Sequence, residues 1–142
     1  MKRINDNAPV KSRHQIQIST DLNMVWELLT GIDKWPSWNS DISEAFLHGP
    51  LTSGTAFTWK SGASRICSEI HHFAKNKSFG WKGSFFGVKA IHYWSLEEKD
   101  GMVTVTTEES MEGFLAKLLA GMLQRKLDKS LLNWLDCMKS AL

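Results

Sequence analysis

Residues 55–111, TAFTWKSGASRICSEIHHFAKNKSFGWKGSFFGVKAIHYWSLEEKDGMVTVTTEESM, decide the fold. Apolar and polar side chains alternate in five runs: Thr55–Lys60, Ser64–Phe73, Ser78–Phe85, Val88–Leu96 and Val103–Met111. Turn residues separate them at Ser61-Gly62, Lys75-Asn76, Phe86-Gly87 and Lys99-Asp100-Gly101. Such short turns predict antiparallel hairpins. Successive side chains on a strand point to opposite faces. Phe57 with Trp59, Phe79 with Trp81 and Phe85, and Ala90 with His92 and Trp94 therefore share one wide aromatic face. Thr58, Lys60, Lys82, Ser84, Lys89 and Ser95 occupy the other. The aromatic face needs a cover.

The C-terminus offers one. From Phe114 to about Ala141, helical spacing groups Leu115, Leu118, Leu119, Met122, Leu127, Leu131, Trp134, Leu135 and Met138 on one side. Gly121 marks a place where this helix can bend or pass close to a neighbour. Upstream, His14–Ser19 alternates and reads as an edge strand. Thr20 or Asp21 can cap a helix carrying Met24, Val25, Leu28 and Leu29, which Gly31 ends. A short turn, Ile32–Trp35, meets Pro36, which is expected to stop any helix and to bias Trp35 to extended geometry. Ile42–His48 is a second strand, closed by Gly49-Pro50. The order predicts an α+β helix-grip: a curved antiparallel sheet of about seven strands around a long C-terminal helix, with two short helices after the first strand. An up-and-down barrel would leave the final helix unused.

Length and composition predict one domain, residues 13–142, after a flexible N-terminal tail, residues 1–12. A net charge of +2, from 17 basic and 15 acidic residues, is too balanced to argue for nucleic acid or an anionic membrane. No run approaches about 18 apolar residues, so no integral membrane segment is expected. Two cysteines, Cys67 and Cys137, without a secretory signal suggest a reducing, cytoplasmic setting with both thiols in the core. No metal is expected: His71 and His72 are adjacent on a strand and should face opposite ways, and His14 and His48 lack partners. No phosphate-binding or nucleophile-elbow motif is present. The lysines of the last helix read as a solvated face.

A resemblance joins these readings. Val25-Trp26, Trp35-Pro36-Ser37-Trp38, Gly49-Pro50-Leu51 with Gly54, His92-Tyr93-Trp94, Glu108-Glu109-Ser110 with Gly113, and Trp134-Leu135 follow one another from about Ile16 to the end. In that order they resemble the START-like, or SRPBCC, superfamily in its polyketide cyclase/dehydratase-like branch. The resemblance implies a Bet v 1-like helix-grip fold with a deep cavity between sheet and helix. The cavity takes hydrophobic small molecules and needs no cofactor. It implies no shared catalytic residues, since members include carriers, cyclases, lipid-binding proteins and chaperone activators.

The expected ligand-binding residues are Trp35, Phe57, Trp59, Ile66, Phe79, Trp81, His92, Trp94, Glu109, Leu118 and Met122. Flat indoles stack on flat ligands. The same rings could simply fill the grip, and Trp38 could brace the short helix. His92 and Glu109 are the candidate acid–base pair. If Leu96 faces Val103, His92 faces Thr107 and Glu109 is its diagonal neighbour, about 7–8 Å away. A base and an acid so placed suit aldol-type cyclisation or dehydration. The plainer alternative is a core histidine with its bonds satisfied. Three functions follow: a carrier of a hydrophobic, aromatic or lipid-like molecule, as monomer or weak homodimer; a cyclase or dehydratase; or a protein-interaction module using the outer face.

Overall fold

The alternating runs pair as a meander. The computed structural model describes residues 3–142. Seven antiparallel strands form one sheet: β1 (Val10–Ile18), β2 (Ile42–Leu47), β3 (Ala56–Ser61), β4 (Ser64–Ala74), β5 (Ser78–Phe85), β6 (Val88–Lys99) and β7 (Met102–Glu112). The order is β1-β7-β6-β5-β4-β3-β2, so β1 alone leaves sequence order, closing onto β7. Phe86-Gly87 and Asp100-Gly101 both hold positive φ, the two-residue turn geometry that matches strand twist.

The first strand delivers the chain to α1 (Leu22–Thr30). Asp21 caps it, accepting from the Asn23 N–H at 2.7 Å. Val25, Trp26 and Leu29 face inward, whereas Met24 is exposed. A 3-10 turn, Ile32–Lys34, then leads into α2 (Trp35–Trp38). Here Trp35 is helical (φ −50, ψ −41), not extended. Pro36 occupies the first turn of α2, where its missing N–H costs nothing.

The segment before β1 lies against the outer face of the sheet. Arg3 donates from Nε to Glu108 Oε1 at 2.6 Å, with its guanidinium 5.4 Å from the Tyr93 ring centre. Asn5 bonds Ser110 and Glu112, each at 3.0 Å. Ile4 is buried. The polar composition that reads as a tail supplies these anchors.

The C-terminal helix is broken. Leu119 (φ −107, ψ 25) separates α3 (Phe114–Leu118) from α4 (Ala120–Ala141), two residues before Gly121. After the break Leu127, Leu131, Trp134, Leu135 and Met138 are buried. Leu118, Leu119 and Met122 are exposed, because the break takes them off that stripe. α4 is fastened to the edge strand: Asp128 Oδ1 accepts from Ser12 Oγ, and Gln124 Nε2 donates to the Lys11 carbonyl at 2.7 Å. Trp134 descends onto Trp35, Trp94 and Trp38, with centroids at 5.0, 5.4 and 5.6 Å.

Candidate functional site

Between the sheet and α4 lies a cavity of about 650 Å³. Its sheet wall includes Trp59, Ile66, Ser68, Trp81, Gly83 and Glu109. Leu123, Lys126, Leu127, Ser130 and Asn133 line it from α4, and the hairpin residues Ser61–Ser64 and Asp41 complete the rim. The strand register creates this wall. Trp59 pairs with Ile66, Ser68 with Gly83 and Trp81 with His92, so all six side chains or bare α-carbons share the inner face. Gly83 lets β4 and β5 side chains pack closely at this wall. A Cβ there would lie 2.6 Å from Ser68 Oγ and 3.2 Å from Ile66 Cγ2. Ser68 Oγ in turn accepts the Trp59 indole N–H at 3.1 Å.

At the inner wall, His92 stands directly opposite Glu109. Leu96 pairs with Val105, not Val103, because the β6–β7 turn is only Asp100-Gly101 and Lys99 pairs with Met102. The register is thus two residues from the one expected. A shift of two preserves the face, so both side chains still point inward. His92 Nε2 is 2.7 Å from Thr107 Oγ1, and Nδ1 is 2.8 Å from Glu109 Oε1. The second contact is close but out of line with the ring N–H, so it is not an aligned hydrogen bond. The imidazole is 1% exposed and lies between rings, stacked on Trp94 at 5.3 Å and tilted against Trp81 at 4.5 Å. Only Nε2 has a hydrogen-bond partner; Nδ1 faces the Glu109 carboxylate without one. Glu109, not His92, reaches the cavity. Asp41 and Asp136 also line it, but both are exposed. Glu109 can accept a hydrogen bond from a bound molecule or take its proton, with His92 and then Thr107 behind it.

Of the residues expected to bind ligand, Trp59, Ile66, Trp81 and Glu109 line the cavity. Trp35, Phe57, Phe79 and Trp94 are completely buried behind that wall. Trp35 donates its indole N–H to the Leu29 carbonyl at 2.9 Å and joins Phe57, Trp59, Trp81 and Trp134 into one cluster. Leu118 and Met122 are 65% and 40% exposed, outside the cavity. Sequence reasoning missed Ser68, Met111 and the polar residues of α4. Ser68 was within reach of it, two places from Ile66. Lys126, Ser130 and Asn133 gave no signal, because a polar residue at a cavity rim looks like one in solvent.

Two other expectations need correcting. Cys67 is exposed, since it sits on the outer face of β4 opposite Thr58 and Ser84; Cys137 is half-buried. His71 and His72 share the outer face, because a bulge between Ile70 and His72 interrupts the alternation. His72 lies 5.6 Å from the Tyr93 ring, and a Cβ on the intervening Gly80 would touch His71 Nε2 and Tyr93 Cδ2. Burial, with Lys82 and His72 nearby, lowers the His71 pKa below its ordinary value. Among the described residues no group of three His, Cys, Asp or Glu side chains is placed to hold a metal ion. None of their helices is long and apolar enough to cross a membrane.

The architecture has many solved counterparts. A hypothetical protein from Helicobacter pylori superposes with a TM-score of 0.84 at 19% identity, over 96% of this chain and 89% of that one. The Zhui aromatase/cyclase from Streptomyces sp. R1128 gives 0.81 at 9% identity, over 92% of each chain. A START superfamily protein from Mycobacterium smegmatis gives 0.74 at 10%, over 92% and 95%. Identities this low speak for the fold alone. No curated protein sequence matches the chain. The sequence does match, over residues 9–134, the family described as polyketide cyclase / dehydrase and lipid transport. That span runs from the start of β1 to Trp134 and takes in the sheet, the cavity wall and most of the covering helix, so the chain belongs to the polyketide cyclase / dehydrase and lipid transport family.

Proposed function

We propose that the protein binds a hydrophobic small molecule between the sheet and α4. The observation that carries this is the cavity of about 650 Å³, walled by Trp59 and Trp81 with Glu109 in its inner wall. The volume lies in the range of small-molecule sites, and Trp59, Ile66, Trp81 and Leu127 give it an apolar wall while the rim and α4 add polar groups that can orient a ligand. Family membership supports the same reading. The protein works as a cytoplasmic carrier, as monomer or weak homodimer, with Cys67 and Cys137 as free thiols.

One observation favours a second reading, a cyclase or dehydratase. Glu109, His92 and Thr107 form a continuous polar chain that ends at the cavity. Glu109 would remove a proton next to a carbonyl, and His92 would hold the carboxylate in place and take part in the relay.

Native mass spectrometry of the purified protein, followed by denaturing extraction, separates the readings. A carrier retains a hydrophobic species of defined mass, loses it in Trp81→Ala and turns nothing over. A cyclase retains binding in Glu109→Gln or His92→Gln and loses turnover of polyketide-like substrates. Both variants staying fully active would end the acid–base reading. An empty wild-type protein that also takes up no hydrophobic probe would end the carrier reading.

A further inference from the structure

Glu108 and Glu109 are adjacent carboxylates on opposite faces of β7, and the fold treats them differently. Glu108, on the outer face, is 6% exposed and is answered by the Arg3 guanidinium, whose Nε lies 2.6 Å from its Oε1. Glu109, on the inner face, has a side chain only 12% exposed and no lysine or arginine beside it. Lys126 and Lys129 also line the cavity, but both are exposed. Among the described residues neither forms an ion pair with Glu109.

Hydrogen bonds do not satisfy it either. The row across the sheet at this level is Ile70, Trp81, His92, Glu109 and Ser12. His92 gives Glu109 a close contact without an aligned bond. Ser12, on the other side, donates its hydroxyl to Asp128 instead. A carboxylate withdrawn from water in this way is costly unless a positive charge joins it.

The surrounding wall suits the same charge. Trp59 and Trp81 border the cavity with ring planes at 86° and centroids 6.2 Å apart, so they form a corner. The Trp59 indole N–H is taken by Ser68 at 3.1 Å, which leaves that ring its π surface to offer. Indole faces attract cations that come within about 6 Å of the ring centre. At the rim Asp41 and Asp136 stand against Lys126 and Lys129, so the rim selects neither sign. Glu109 is the charged residue of the sheet wall.

We propose that the molecule taken into this cavity carries a cationic nitrogen. Its class is a hydrophobic amine, protonated, with the nitrogen between Glu109 and the Trp59–Trp81 corner and the apolar body along Ile66 and Leu127. The inference rests on the carrier reading and narrows it. A fatty acid or other anion of the same shape would meet an unpaired carboxylate and be rejected.

Isothermal titration calorimetry of the full chain at neutral pH tests this with octylammonium, octanol and octanoate. The three share a tail and differ in head charge. Octylammonium should bind about tenfold more tightly than octanol, and octanoate more weakly than either. Octanol should displace octylammonium, as a shared site requires. In Glu109→Gln the ratio of ammonium to octanol affinity should fall to about one. The ratio cancels any general loosening of the cavity, and circular dichroism checks the fold. Trp59→Leu, which keeps the wall apolar, should lower the same ratio about threefold. Octanol or octanoate binding as tightly as octylammonium to the wild type overturns the inference and leaves the carrier reading standing. So does an unchanged ratio in Glu109→Gln, which would assign the preference to Asp41 and Asp136 at the rim. Binding of none of the three overturns both.

Discussion

Replacing Trp134 with alanine removes the ring on which the two layers meet. The indole is 2% exposed and lies within 5.0–6.2 Å of Trp35, Trp38, Trp59, Trp81 and Trp94. Truncating a buried tryptophan costs about 3–5 kcal/mol. The middle to upper part of that range applies, because the neighbouring rings are held by strands or by α2 and cannot collapse into the gap. Unfolding entropy of about 2.1 cal/mol/K per residue gives about 0.3 kcal/mol/K for 142 residues. A loss of about 4 kcal/mol should therefore lower the melting midpoint by about 13 °C. Far-UV circular dichroism during heating, with urea titration alongside, measures it. The urea slope should not change, because the surface exposed on unfolding is nearly the same. Leu132→Ala, on the exposed side of α4, is the control and should shift stability by less than about 0.5 kcal/mol. The void left by Trp134 adjoins Trp59 and Trp81, which line the cavity, so the variant should also admit a longer hydrophobic probe. A midpoint within about 4 °C of wild type would refute the reasoning, since it would mean that α4 grips the sheet without this ring.

Arg3→Ala should cost about 1–2 kcal/mol, because it leaves the buried Glu108 carboxylate without its cation while half-exposed Arg3 limits the loss; an unchanged urea midpoint would show that solvent serves Glu108 equally well. Asp128→Asn probes pH dependence. The Ser12 hydroxyl, with Gln124 and His14, lowers the Asp128 pKa below its ordinary 3.8. A depressed carboxylate contributes stability that is present above the unfolded value and lost as pH falls through the folded one. The wild-type urea midpoint should drop below pH 3.8 more steeply than that of the variant, and parallel curves would contradict this. Gly113→Ala should destabilise by about 1–3 kcal/mol, because φ +113 is a glycine conformation and the added Cβ meets the Gly87 carbonyl; a thermal melt reads it, and no shift would mean that the turn relaxes freely.

The meander was legible because its alternation is long and its turns are short. Trp59, Trp81 and His92 share the inner face as the period of two requires. What alternation cannot show is depth. Trp94 and Trp81 lie on one face, yet one is sealed behind His92 and Trp134 and the other borders the cavity. That difference is set by where α4 crosses, which no local pattern encodes. The exposure of Leu118 and Met122 was hidden for a related reason. Helical spacing assumes continuous phase, and the break at Leu119 resets it. The His71–His72 bulge does the same to a strand, adding one residue to a count of two. Arg3 and Asn5 read as tail because their partners, Glu108 and Ser110, are distant in sequence.

The pairing of β1 with β7 has a kinetic meaning. Val10 meets Met111 and Ile18 meets Val103, so the first of the seven strands to be made is the last that can find its neighbour. The strands from β2 to β7 each pair with the one just made, and such local closures are fast. Until β7 emerges, β1 has no ladder, and until β1 docks, α4 lacks the Ser12 and Lys11 anchors. On this order, folding should end with β1 and α4 docking together on a preformed meander. In pulse-labelled refolding, amides of β7 that bond β6 should be protected before those that bond β1. Simultaneous protection would show instead that β1 and β7 meet early and that the sheet grows between them.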